Sequence, residues 1–165
     1  MGGNFWSNWT SPDSKNQGFV DFPYVFTGGQ DNLPWVKENA WIGWYGEYFA
    51  NMSLSGSPVL TRTDTSIDFD WGTGSPSVLV PAQEFSVRWT RMLTFTEGMY
   101  RFHTTGDDGI RLWGDGVLAI DDWSNHSARE DTADVFMTAG QHNLKVEYFE
   151  WIVYAVAKAW WEVAN

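Results

Sequence analysis

The chain has 165 residues, 43% of them hydrophobic and 19% charged, and a formal charge of −11. That length fits one domain with a sizeable core. The acidic balance excludes nucleic acid as a partner, which needs Lys and Arg to replace counterions, and disfavours anionic membrane surfaces.

There is no cysteine, so disulfides, thiolate metal sites and cysteine nucleophiles are excluded. Aromatic residues are 18% of the chain, with 12 Trp. An acidic, aromatic-rich surface suits neutral sugars and hard cations. No run approaches the roughly 18 apolar residues of a membrane helix, so no membrane insertion is expected. The start, Met1-Gly2-Gly3-Asn4-Phe5-Trp6, has no basic n-region and no apolar h-region and reads as lacking a signal peptide.

Residues 1–40 form an irregular arm. Phe5, Trp6, Trp9, Phe19, Phe22, Tyr24, Phe26 and Trp35 are spaced among Gly, Pro, Ser, Asn and Asp. No helical or alternating period persists, and Pro12, Pro23, Pro34 and Gly28-Gly29 interrupt it. Disordered segments are poor in aromatics, so the arm is expected to dock. Residues 19–26 read as an extended strand. The arm either wraps its own domain or docks on a neighbouring copy through Phe19, Phe22, Tyr24 and Phe26; the second would build a homo-oligomer or fibre.

From Trp41 the chain reads as short strands, and residues 41–165 read as the domain proper. Residues 44–49 are the first strand, followed by a turn-rich stretch and residues 59–61. Ile67-Asp68-Phe69-Asp70-Trp71 alternates apolar and acidic residues. Phe85, Val87 and Trp89 alternate with Ser86, Arg88 and Thr90, and Leu93 and Phe95 continue that phase. Glu97-Gly98 turns the chain into residues 99–104.

A hairpin follows: residues 109–113, a Gly114-Asp115-Gly116 turn, and residues 117–120. Asp-Gly between apolar runs tolerates φ > 0 at both positions. Acidic pairs flank it, Asp107-Asp108 before and Asp121-Asp122 after, so an antiparallel hairpin could gather up to four carboxylates at one rim. Clustered carboxylates repel unless a cation or hydrogen bonds hold them.

Residues 124–133 read as a polar loop, 135–137 as a short strand, 144–149 as an alternating strand and 154–161 as a nearly continuous apolar one. No segment has an amphipathic helix period. Strands every 8–12 residues with Gly turns give an all-β sandwich or barrel.

In order along the chain, Ile67-Asp68-Phe69-Asp70-Trp71-Gly72, Phe85-Ser86-Val87-Arg88-Trp89, Gly98-Met99-Tyr100-Arg101-Phe102, Asp107-Asp108-Gly109-Ile110-Arg111-Leu112-Trp113, Asp121-Asp122-Trp123 and Gly140-Gln141-His142-Asn143-Leu144-Lys145-Val146-Glu147-Tyr148 together resemble a PA14 domain. The resemblance runs from about Trp41 to Glu162 and leaves the arm outside. It implies a PA14-type β-sandwich or barrel found in secreted, cell-surface and adhesive proteins, and so an extracellular or cell-surface location.

In the adhesin lectins of that family an Asp-Asp pair joined by a cis peptide binds Ca²⁺, which coordinates two sugar hydroxyls. Asp107 and Asp108 match the pair, and oxygen ligands suit a hard cation. The resemblance therefore implies glycans as partners and Ca²⁺ as cofactor. Family lectins complete the site with an Asn side chain and carbonyls from a loop before the last strand. Here that segment is Glu150-Trp151-Ile152-Val153-Tyr154-Ala155, which offers Glu150 and carbonyls but no Asn, Asp or Gly. Either Trp151 makes an aromatic platform for sugar, or this rim is buried against another subunit.

Each reading has a plainer counterpart. Asp107 and Asp108 also suit turn capping. Asp121 and Asp122 read as structural, and Asp115 as the turn residue alone. His103, His126 and His142 lack metal-ligand spacing, although His126, beside Trp123 and Asn125, could touch a sugar. Trp113 and Trp123 are packing residues first. Asn8, Asn51 and Asn125 begin Asn-x-Ser/Thr sequons and are candidate glycosylation acceptors. No G-x-S-x-G, phosphate loop or carboxylate spacing points to catalysis. The two resulting expectations are a Ca²⁺-assisted carbohydrate-binding or adhesion module and a subunit of an extracellular filament.

Overall fold

The structure is a computed structural model. It describes residues 43–164 and the backbone of residues 24–26 and 29–31. The chain divides into two units at Gly43/Trp44. In the first unit, β1 (Tyr24–Phe26) and β2 (Gly29–Asp31) form a two-stranded antiparallel sheet with Val25 opposite Gln30. Phe19, Phe22, Asn8 and the side chains of Tyr24 and Phe26 lie outside the described residues, and so does the expected joining of copies through the arm.

The second unit is all-β among the described residues. Its strands are β3 (Trp44–Phe49), β4 (Leu60–Asp64), β5 (Ile67–Gly72), β6 (Phe85–Phe95), β7 (Gly98–Asp107), β8 (Ile110–Gly114), β9 (Val117–Asp122), β10 (Arg129–Met137), β11 (Gly140–Glu150) and β12 (Ala155–Val163). They form two antiparallel sheets, one ordered β10-β7-β12-β5 and the other β4-β3-β6-β11-β8-β9. Of the all-β sandwich or barrel expected from the sequence, two antiparallel sheets are found.

Period-two alternation builds the core. Trp44, Tyr48, Phe85, Val87, Trp89, Ile110, Leu112, Leu144, Val146 and Tyr148 are buried from the six-stranded sheet. Ile67, Tyr100, Phe102, Ala155, Ala157 and Ala159 are buried from the other. Each large apolar side chain taken fully out of water stabilises the fold by about 1.5–3 kcal/mol. Aromatic rings meet edge-on or stacked, as in Phe69–Trp89 at 5.7 Å and Trp71–Phe85 at 5.6 Å.

The central hairpin turns on Asp115 (φ 49°) and Gly116 (φ 82°). Positive φ at both positions matches the right-handed strand twist. Asp115 does more than turn the chain. Its carboxylate accepts the Asn143 N–H at 2.8 Å and lies 2.6 Å from His142 Nδ1.

One strand differs from expectation. Residues 129–133 are not loop but the start of β10, paired with β7 from Arg129↔Gly106 to Met137↔Gly98. Its charged residues hide the period-two pattern, as is common at sheet edges. Arg101, opposite Asp134, holds it with two 2.7 Å hydrogen bonds.

Candidate functional site

The site lies where β7, β11 and the loop 123–128 meet. Asp107 ends β7 and Glu150 ends β11. The Asp107–Asp108 peptide bond is cis, as the family resemblance implies. Glycines bracket the pair because neighbours come too close for a side chain. A Cβ on Gly109 would overlap the Phe149 ring, and one on Gly106 would overlap the Asp108 carbonyl oxygen and Ile110. The Phe149 N–H also donates to the Gly109 carbonyl at 2.9 Å.

The cluster that forms is Asp107, Asp108 and Glu150, one carboxylate oxygen of each lying within 4.8 Å of the others. Asp121 and Asp122 do not join it. Asp121 is exposed, and Asp122 is buried in its own network. Asp122 meets the Arg129 guanidinium, lies 2.6 Å from His126 Nε2, and accepts from the Ser124 hydroxyl at 3.2 Å. The structural reading of Asp122 fits this geometry.

Asp107 and Asp108 hold the loops around them. Asp108 Oδ1 accepts the His126 N–H at 3.1 Å, and Oδ2 accepts the Trp151 N–H at 2.8 Å. Asp107 Oδ2 accepts the Ala128 N–H at 3.1 Å. These are capping bonds, and they leave further lone pairs on every oxygen. Burial, and then the Asp108 charge, push the Asp107 carboxyl above the usual carboxylate range.

Glu150 is the residue that sequence reasoning undervalued. It continues the core-facing phase of Leu144, Val146 and Tyr148, and it is fully buried. Its Oε1 has no hydrogen-bond partner among the described residues. Its Oε2 lies 3.1 Å from the Tyr148 hydroxyl, which also reaches the Asp107 carbonyl oxygen. One hydroxyl proton serves one acceptor at a time. Burial, then the charges of Asp108 and Asp107, push the Glu150 carboxyl up to about 7. Burial, then the Glu150 carboxylate and after it Asp108 and Asp107, drive the Tyr148 hydroxyl far above its ordinary range, so it stays a donor.

The oxygen donor set and the orphaned, buried Glu150 oxygen fit a hard divalent cation such as Ca²⁺. Glu150 belongs to the segment 150–155, which brings an acidic side chain to the cluster and no Asn.

The other expected site residues surround this cluster unequally. Asn125 is exposed and His126 is half-buried, with Nδ1 2.8 Å from the Ser127 carbonyl oxygen. Trp123 packs edge-on to Phe149 at 4.7 Å, and the Arg111 guanidinium sits 4.0 Å over its ring. Trp151 and the following Ile152, Val153 and Tyr154 are exposed. The loop 151–154 is held by Trp151 on both sides, its N–H on Asp108 and its carbonyl accepting the Glu84 N–H at 3.1 Å. Val153 takes φ 81°, a conformation that strains a β-branched residue and that glycine adopts freely. Of the sequons, Asn51 uses its side chain locally, donating to Ser55 O and accepting the Ser53 N–H, both at 3.0 Å.

The PA14 domain family matches residues 42–161, and the chain belongs to that family. Over 129 residues it is 40% identical to the anti-sigma-I factor RsgI3 of Acetivibrio thermocellus, covering 76% of this chain and 20% of the relative. It thus spans about a fifth of that relative's length. A solved anti-sigma factor domain-containing protein is similar at 40% identity and TM-score 0.71, covering 75% of this chain and 44% of that one. A PA14 sugar-binding domain from an RTX adhesin shares the fold at 18% identity and TM-score 0.62, covering 73% of this chain and 89% of that one.

These relatives correct the expected extracellular or cell-surface location. The similar chains at 40% identity are named as an anti-sigma-I factor and an anti-sigma factor domain-containing protein, and not as secreted adhesins.

Proposed function

We propose that this chain is a non-catalytic carbohydrate-binding module that holds Ca²⁺ on Asp107, Asp108 and Glu150. We further propose that it is the ligand-recognising part of a longer regulatory protein related to the anti-sigma factors. The observation that carries this reading is the buried Glu150 carboxylate, which belongs to the cluster and whose Oε1 has no partner among the described residues. Three carboxylates this close are held together by a cation more readily than by the hydrogen bonds present.

The ion, when bound, supplies a positive centre for sugar hydroxyl oxygens. The chain's own residues do the rest. Asp107 and Asp108 fix the loops 123–128 and 150–154 through three backbone N–H groups, so the rim is organised before a ligand arrives. Asn125, His126 and Trp151 lie on those loops, and in this reading they contact the ligand. Trp123, at the start of the first loop, is braced by Phe149 and Arg111.

The test is a titration of Ca²⁺ into chelator-treated protein, followed by glycan-array binding with and without Ca²⁺. One Ca²⁺ site per chain and Ca²⁺-dependent glycan signal are expected, both lost in Asp107→Asn with Asp108→Asn. Glycan binding that survives in the double variant contradicts the reading.

A further inference from the structure

The sandwich holds a cavity that the carboxylate cluster does not use. It lies between β9 and β10, the strands at which the two sheets end, with Gly114 and Val117 placing it beside the Asp115 turn. We propose that this cavity is a second binding site for a small uncharged apolar ligand of about ten carbons or fewer, an aromatic ring or a short hydrocarbon chain. It stands independently of the cation-dependent reading above.

Size and placement come first. The cavity volume is about 250 Å³. An apolar cavity of roughly 150 Å³ takes up benzene, about 25 Å³ per carbon, so this one holds about ten carbons. Phe102, Leu112 and Met137 line it and belong to the buried core. Val117 and Leu118 line it too and are 71% and 43% exposed. The space therefore runs from the core to the surface, where a ligand can enter.

Small residues leave this space, and Gly114 is the most informative of them. Its φ does not lie in the left-handed region. A Cβ built on it would meet only Leu144 Cδ2, at 3.7 Å, which is an ordinary contact. Neither conformation nor crowding calls for glycine at this position. Glycine weakens a strand, and where it stands in one it often marks the close approach of a ligand. Ala119 and Ala133 line the cavity from β9 and β10. Ala119 is also the extra residue of a bulge, since Leu112 pairs with Ile120 but Trp113 pairs with Leu118. A bulge bends an edge strand and re-aims the side chains next to it.

The lining sets the class of ligand. Its one ionisable residue, Asp134, is held by Arg101 through two 2.7 Å hydrogen bonds. No lining side chain carries a hydrogen-bond donor. A charged ligand would lose hydration with nothing to replace it. Water in the cavity finds few partners, so an apolar ligand displaces it favourably.

The experiment titrates toluene, and separately n-octanol, into the full 165-residue chain and follows the backbone amide shifts. Saturable shifts confined to residues 112–119 and 133–137 are expected, with a dissociation constant of about 1 mM or tighter. Benzoate, the charged counterpart of toluene, is expected to bind at least about tenfold more weakly. Gly114→Leu and, separately, Ala133→Leu fill the cavity and are each expected to weaken toluene at least about tenfold. Ca²⁺ binding is expected to be unchanged in both. Intermolecular NOEs from toluene to the methyl groups of Leu112 and Leu118 are expected in wild-type protein, a readout that needs no variant.

Shifts that fail to saturate, absent NOEs, or undiminished toluene binding in a folded filled variant overturn the site. Benzoate binding as tight as toluene overturns the ligand class. A dimer that excludes toluene and is dissociated by Val117→Asp overturns the proposal in favour of a second copy covering this edge.

Discussion

Two groups of buried carboxylates in this sandwich have opposite fates. Asp64, opposite Trp44 at one end of the six-stranded sheet, is saturated. It accepts from the Tyr48 hydroxyl at 2.6 Å, Trp89 Nε1 at 2.8 Å and Arg62 Nε at 2.7 Å. Glu150, at the other end of the same sheet, is more deeply buried and has one oxygen with no partner among the described residues. A buried charge with a full set of donors holds a fold together, whereas one left short of donors opposes folding until something positive arrives. The contrast separates a carboxylate that the fold satisfies from one that it leaves short of donors.

The largest effect expected from that contrast is at Asp64. Asp64→Ala leaves Arg62, Tyr48 and Trp89 facing each other without an acceptor, and it should destabilise the protein by about 3 kcal/mol or more in urea denaturation. The same measurement on Glu150→Gln in metal-free protein at neutral pH should move the other way. Removing a buried, under-paired charge is expected to stabilise by about 1–2 kcal/mol. Loss of stability in both variants would erase the distinction.

A smaller effect concerns the hairpin end. The Asp115 carboxylate and the Thr138 carbonyl hold the His142 imidazole above its ordinary range. The Asn143 N–H and His142 hold Asp115 below the usual carboxylate range. The His142 contribution is complete below its unfolded value, about 6.5, and fades as pH rises through the folded value. The Asp115 contribution is complete above about 4 and fades as pH falls through its folded value. The hairpin link is therefore strongest between about pH 4 and 6.5. His142→Gln should flatten the decline in melting temperature above that window, and an unchanged profile would remove the link.

The smallest effect is at the rim loop. Val153→Gly relieves the strained φ of 81° and should stabilise the metal-free protein by up to about 1 kcal/mol.

Much of the fold is legible in sequence. Strict alternation at Phe85, Val87 and Trp89, and at Leu144, Val146 and Tyr148, gives strand and face together, and Asp115-Gly116 gives the turn. The Asp107-Asp108 pair is legible because it opens the motif Asp107-Asp108-Gly109-Ile110-Arg111-Leu112-Trp113 that carries the family resemblance. The strand β10 is hidden because an edge strand carries charges where a central one carries apolar residues.

Glu150 is visible as a residue but not as a buried one. The signal that finds it is its phase, since it stands two residues after Tyr148 on the core-facing side. The left-handed turn at Val153 leaves no trace, because the residue type that usually reports such a turn is glycine. The Asp64 network is equally silent, as its partners Tyr48, Arg62 and Trp89 come from three strands whose register only the fold defines.

The central claim is that Glu150 joins Asp107 and Asp108 in holding a cation. Thermal melting of chelator-treated protein across a Ca²⁺ titration tests it most directly, comparing wild type with Glu150→Gln and Asp64→Asn. The account predicts a saturable rise in melting temperature for wild type and for Asp64→Asn, and none for Glu150→Gln over the same Ca²⁺ range. A rise of equal size and midpoint in Glu150→Gln would contradict it.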